Sequence, residues 1–235
     1  MFELDDLHAF YGKSHVVQGV SFQIAPGEAV GLVGRNGVGK TTTLKSIMGM
    51  VRQTQGRVTL EGTELSRMPA HVRARKGLGY VPEERAVFTR MTVHENLRIG
   101  AMLQDGKAQE RSLEMAYGLF PILQERRLQI AGTLSGGQQK MLALARGLSL
   151  QPAVLLVDEP SEGLMSLNVE LITRALLRAT DAGVRVLVVD ASFDLLRATC
   201  RRLHVMDRGR LIGTYQPEEF STPDQLAATY LGAER

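Results

Sequence analysis

The stretch AVGLVGRNGVGKTTTLKSIMGM, residues 29–50, decides the fold. It begins with a short apolar run, residues 29–33, of the kind that forms a strand buried on both faces. A glycine-rich turn follows and runs into a helix-forming segment. Gly34, Arg35, Asn36, Gly37, Val38, Gly39, Lys40 and Thr41 satisfy G-x-x-x-x-G-K-[ST] at every fixed position. In a strand–loop–helix of this form the glycines let backbone N–H groups turn inward around phosphate oxygens, and the helix presents the positive end of its dipole. Lys40 is placed to bridge the β- and γ-phosphates, Thr41 to ligate Mg²⁺, and Thr42 to continue the cradle.

Working outward, residues 154–157 form a second apolar run, which ends in Asp158-Glu159-Pro160. A buried strand of this kind delivers its terminal carboxylates beside the phosphate loop, at the carboxyl edge of the sheet. Asp158 then suits Mg²⁺, and Glu159 suits a general base that polarises the attacking water. Residues 2–10, 16–24, 58–60, 78–81, 184–189 and 203–206 read as further strands, the first two as an antiparallel start. Between 84 and 150 the pattern is helical. Thr92 with Glu95, and Ser135 with Gln138, have the spacing of capping boxes. The expected architecture is α/β: one domain over residues 1–235, with a core of 1–83 and 151–235, an N-terminal antiparallel β element and an inserted helical subdomain at about 84–150.

Composition narrows the partners. The 235 residues are 44% hydrophobic and 23% charged, which argues against wholesale disorder. The net charge of +3 is small, although the sequence pI of about 9.2 raises nucleic acid or anionic lipid as partners. The basic cluster RMPAHVRARK, residues 67–76, has no interleaved aromatics and reads as a solvated helix face, so no nucleic acid is expected. The single cysteine, Cys200, rules out an internal disulfide framework and suits a reducing compartment. The first residues do not have the pattern of a signal peptide, and no run approaches the roughly 18 apolar residues of a membrane helix. A role at a membrane is therefore expected to run through a partner.

Leu134-Ser135-Gly136-Gly137-Gln138 is a second candidate phosphate-binding helix start in a chain with one phosphate loop. That combination points to a site shared between two subunits. Phosphate loop, LSGGQ and the apolar strand ending in Asp-Glu-Pro, in this order, resemble the nucleotide-binding subunits of ABC transporters over about residues 2–232. The resemblance implies a P-loop ABC ATPase core that binds ATP and Mg²⁺. It implies that Tyr11 stacks on adenine and that Ser135, Gly136, Gly137 and Gln138 act on ATP held by the opposite subunit. It also implies that residues 161–164 touch that subunit. GRNGVGKTTTLKSIMG, YVPEERAVFTRMTVHENL, DEPSEGL and the terminal Tyr230-Leu231-Gly232 are similar to ATPases of bacterial importers for branched-chain amino acids, urea and short amides.

Two departures from that family stand out. After Tyr80-Val81-Pro82 the family places a glutamine that senses the γ-phosphate and Mg²⁺; here Glu83 stands there and is a third candidate metal ligand. After residues 184–189 the family places a histidine; here Ala191 fills the position and has no side-chain donor. His204 lies within the next strand and cannot substitute. The resemblance thus leads to several expectations. They are an ATPase at the cytoplasmic face of the plasma membrane, a second, non-identical ATPase subunit, permease subunits, and a solute-binding protein acting indirectly. The alternatives are the ATPase of a lipid or lipopolysaccharide exporter and a soluble ABC protein. The latter generally needs paired ATPase domains or a long coiled coil.

Overall fold

The computed structural model describes residues 1–84 and 87–231. In chain order its elements are β1 (Phe2–Tyr11), β2 (Ser14–Ile24), β3 (Ala29–Val33), α1 (Lys40–Ile47), β4 (Gln53–Leu60), β5 (Thr63–Glu64), α2 (Ala70–Arg75) and β6 (Leu78–Val81). A run of helices follows: α3 (Val93–Gly100), α4 (Gly106–Leu119), α5 (Pro121–Glu125) and α6 (Gly136–Ser149). The chain then returns through β7 (Val154–Asp158), α7 (Ser166–Asp181), β8 (Arg185–Val189), α8 (Phe193–Thr199), β9 (Arg202–Asp207), β10 (Arg210–Tyr215) and α9 (Pro223–Leu231).

β3, β7 and β8 are buried at every position, as unbroken apolar strands of a parallel sheet must be. They belong to a six-stranded sheet of order β10-β9-β3-β8-β7-β6, in which only β10 runs antiparallel to its neighbour. Successive side chains of β7 enter different cores. Val154 and Leu156 pack with Phe2, Leu44 and Ile47 from β1 and α1, whereas Leu155 and Val157 pack with Leu142, Leu176 and Leu196 from α6, α7 and α8. A second sheet, order β2-β1-β4-β5, is wholly antiparallel. It is the expected N-terminal antiparallel element, joined by β4 and β5, which follow α1.

Several elements differ from the sequence reading. β4 begins at Gln53 rather than 58, and β5 and β10 were not foreseen. These are polar edge or flanking segments, held by backbone pairing to a single neighbour or by a few buried residues, so they carry no apolar run to announce them. Both capping boxes form as expected, at Thr92–Glu95 on α3 and Ser135–Gln138 on α6. Arg85 and Ala86, within the segment similar to the importers, and Gly232 of the terminal Tyr-Leu-Gly lie outside the described residues.

The basic cluster is only partly a solvated face. Arg73 on α2 is buried, and its guanidinium donates to the carbonyls of Ser46, Ile47, Ser66 and Met68 at 2.6–3.0 Å. It thereby satisfies the C-terminal carbonyls of α1, the helix that carries the phosphate loop's lysine. Arg73→Met is expected to lower unfolding stability by about 3 kcal/mol, because several buried carbonyls lose their partner at once. Urea denaturation checks this; an unchanged midpoint would show that α1 does not need the cap.

Candidate active site

Four strand ends meet at one edge of the parallel sheet. β3 delivers the phosphate loop, β6 delivers Pro82 and Glu83, β7 delivers Asp158 and Glu159, and β8 delivers Asp190 and Ala191. Their registers align Leu32 and Asp158 each opposite Val189, and Val81 opposite Val157, so all four carboxyl ends come out together. Ligands bind at this edge in open α/β sheets. Glu83, Glu159, Asp190 and Ala191 from these ends line a cavity of about 380 Å³ together with the phosphate loop, whereas Pro82 and Asp158 do not line it.

Asn36, Gly37, Gly39, Lys40, Thr41 and Thr42 line that cavity. Gly34, Arg35 and Val38 do not; they shape the loop through their backbone. Lys40 Nζ donates to the carbonyls of Gly34 (2.8 Å) and Arg35 (3.1 Å), and Gly209 N–H donates to Val38 O (2.9 Å). Gly34 is held at φ +150°, where a Cβ would lie 2.2 Å from the carbonyl oxygen of Met206. Only glycine fits at that position. Burial pushes the Lys40 ammonium's pKa down, while Glu159, Asp158 and Glu83 oppose that shift.

Folding brings Thr41 and Asp158 together across 117 residues of sequence, with Thr41 Oγ1 donating to Asp158 Oδ1 at 3.0 Å. The Tyr80 hydroxyl donates to the other oxygen, Asp158 Oδ2, at 3.2 Å. Asp158 is 1% exposed, and its burial pushes the carboxyl pKa up against these two bonds. Burial and Asp158 likewise push the Tyr80 hydroxyl up. The sequence reading missed Tyr80, which it used only to place Glu83. Thr41, Asp158 and Glu83 offer oxygen donors alone, the set a hard divalent cation such as Mg²⁺ takes. Glu83 lines the cavity, and burial together with Glu162 raises its carboxyl pKa.

Glu159 also lines the cavity and has a left-handed backbone, φ +46°, with its N–H donating to Val189 O at 2.7 Å. Burial, and then the Asp190 carboxylate, push its carboxyl up to about 6. Asp190 is itself committed as an acceptor: it takes hydrogen bonds from the backbone N–H and hydroxyl of Ser161 (2.8 and 2.6 Å) and from Ser192 N–H (2.7 Å). This latch, which the sequence did not show, joins the ends of β7 and β8. Ala191 lies in the cavity wall with no side-chain donor to offer a ligand, and its backbone N–H hydrogen-bonds the Glu159 carboxylate, which opposes the upward shift of that group. His204 is buried in β9 with Nδ1 paired to Thr214 Oγ1, and burial pushes it down to about 4.

Tyr11 ends β1 at 52% exposure and does not line the cavity; Val16 of β2 forms that part of the wall. Ser135, Gly136, Gly137 and Gln138 open α6, where Ser135 Oγ accepts from Gln138 N–H and Gln138 Oε1 accepts from Ser135 N–H. None of the four lines this cavity.

The family model described as ABC transporter matches residues 17–162, which include the phosphate loop, the LSGGQ helix start and the Asp158-Glu159 strand end. The chain belongs to the ABC transporter family. It is an ABC ATPase, a nucleotide-binding subunit of a transporter. The high-affinity branched-chain amino acid transport ATP-binding protein BraG of Pseudomonas aeruginosa is 35% identical over 99% of this chain and 100% of BraG. The lipopolysaccharide export system ATP-binding protein LptB of Escherichia coli (strain K12) is 33% identical over 94% of this chain and 93% of LptB. Among solved structures, the ADP conformation of MJ1267, an ATP-binding cassette of an ABC transporter, superposes with a TM-score of 0.85 at 22% identity, over 99% of this chain and 97% of that one. ATPase subunits of this family dimerise and work with transmembrane permease partners. Among the described residues of this ABC ATPase, no helix is long and apolar enough to cross a membrane.

Proposed function

We propose that this ABC ATPase powers a bacterial importer for branched-chain amino acids, urea or short amides. The observation that carries the reading is the full-length similarity to BraG, joined to a cavity in which Lys40, Thr41, Glu83 and Glu159 converge. In this reading two ATP molecules lie between two ATPase subunits. The phosphate loop and Lys40 hold the β- and γ-phosphates, and Tyr11 stacks on adenine from the rim. Thr41, Asp158 and Glu83 would hold Mg²⁺, which supplies charge neutralisation on the phosphate oxygens when bound. Glu159 takes the proton of the attacking water; its raised pKa suits a base working near neutrality. Ser135 to Gln138 complete the partner's site.

The core (1–83 and 151–235) and the helical part (84–150) are the two arms of this machine. Closure passes to the permeases through the groove between them, at the cytoplasmic face of the membrane. Ala191 leaves the chain's own site without the family's histidine donor, which supports a non-identical partner carrying the faster site. The loss of one preorganised donor is worth about 10²–10³ in rate.

A second reading, export of lipid or lipopolysaccharide, is favoured by the nearly equal identity to LptB. Proteoliposomes containing the chain, its partner ATPase and its permeases separate the two. The expected result is ATP-dependent uptake of labelled leucine, urea or acetamide in the presence of the binding protein. No uptake, with lipid or lipopolysaccharide extracted instead, would sink the import reading.

A further inference from the structure

The first turns of α6 grip the segment that follows Glu159. A Cβ at Gly137 would lie 2.5 Å from Asn168 Nδ2 and 3.5 Å from Leu164 Cδ2, so the helix start packs directly on that segment. Lys140, three residues on and therefore on the same face, reaches further. Its Nζ donates to the backbone carbonyl of Glu159 at 2.7 Å and lies 3.9 Å from Glu162 Oε2, with 21% of the side chain exposed.

We propose that Lys140 is a positioning residue for Glu159, and that through it the helix opening with LSGGQ is coupled to the carboxylate of the same chain's own ATP site. The inference rests on the reading of Glu159 as general base. A glutamate at φ +46° is in the left-handed region, which residues with a Cβ adopt uncommonly and at some cost. Two groups hold it here. Val189 O takes the Glu159 N–H at 2.7 Å, and Lys140 holds the carbonyl on the other side of the residue. The only other donor to that carbonyl among the described residues is Glu162 N–H, at a long 3.4 Å. Lys140 therefore makes the strong, charge-assisted bond that keeps the peptide from rotating, and with it the direction in which the carboxylate leaves the backbone.

A base displaced by about 1 Å loses a large part of its effect, whereas nucleotide binding by the phosphate loop does not depend on it. The same lysine is anchored on the helix whose N-terminus engages nucleotide on the opposite subunit. A shift of α6 on that nucleotide is thus transmitted to Glu159 by one hydrogen bond and the Gly137 contact.

The test uses the full-length chain without a second ATPase subunit, so that every site measured is built on this chain's own Lys40 and Glu159, with Lys140→Met, Lys140→Arg, Glu159→Gln and the Lys140→Met/Glu159→Gln pair, measuring ATP hydrolysis and ATP binding. Lys140→Met is expected to lower kcat by about 10–30-fold with KM and ATP affinity within about twofold of the native chain. Lys140→Arg, which keeps a charged donor, is expected to recover most of the loss. The Met substitution should cost nothing further once Glu159 is Gln, because it acts through that carboxylate. If Lys140→Met does not fold, Lys140→Gln gives the same readout. A native kcat in Lys140→Met beside an inactive Glu159→Gln overturns the inference and leaves the base reading standing; so does an equal loss in the Glu159→Gln background. Full activity in Glu159→Gln removes the base reading and this inference with it.

Discussion

Glu159→Gln is expected to lower ATP turnover at this chain's own site by about 10²–10⁴-fold while leaving ATP bound, because the amide keeps the shape of the side chain but cannot take the proton of water. The two ATP-bound subunits should consequently stay closed, and gel filtration with ATP should show a stable dimer. A variant that fails to bind ATP would contradict the role proposed for Glu159, which requires it to act on the attacking water rather than to hold the nucleotide. In the assembled transporter with a non-identical partner, Ser135→Arg is expected to reduce turnover more than Glu159→Gln. The arginine blocks the partner's faster site, whereas the glutamine disables a site already slowed by Ala191. The reverse order would mean that Ser192 or a water supplies the missing donor. Ser192 Oγ accepts from Leu195 N–H at the start of α8 but retains its own proton.

Lys40→Ala is expected to weaken ATP binding by about 3 kcal/mol or more, roughly a hundredfold, and to abolish nucleotide-dependent dimerisation. Two effects add. The charge-assisted contacts to the β- and γ-phosphates are lost, and the carbonyls of Gly34 and Arg35 lose the ammonium that curls the loop around the cavity. Isothermal titration and gel filtration with ATP check both. Native affinity and transport in this variant would sink the phosphate-loop assignment.

Local chemistry explains what could be read in advance. Residues 34–41 needed no tertiary information, since glycine spacing, a lysine and a hydroxyl are what a phosphate cradle requires, and the apolar runs on either side placed it between strand and helix. The strand ending at Asp158 and both capping boxes were legible for the same reason: each is a short-range pattern of burial or backbone satisfaction. Tyr80 was not. Its bond to Asp158 spans 78 residues and depends on β6 and β7 lying side by side. The latch from Ser161 to Asp190 likewise depends on the pairing of β7 with β8, and the burial of Arg73 on the position of the end of α1.

The sequence by itself determined that this chain has a nucleotide-phosphate loop, the candidate metal and base carboxylates, and an α/β core around them, because those features are carried by neighbours along the chain. The tertiary structure alone decided which groups touch the carboxylates. Parallel strands adjacent in the sheet are distant in sequence, and their carboxyl ends meet only when the crossovers pack. Tyr80 on Asp158, Lys140 on the carbonyl of Glu159 and Asp190 beside it are therefore properties of the packed sheet and its helices, which no local pattern encodes.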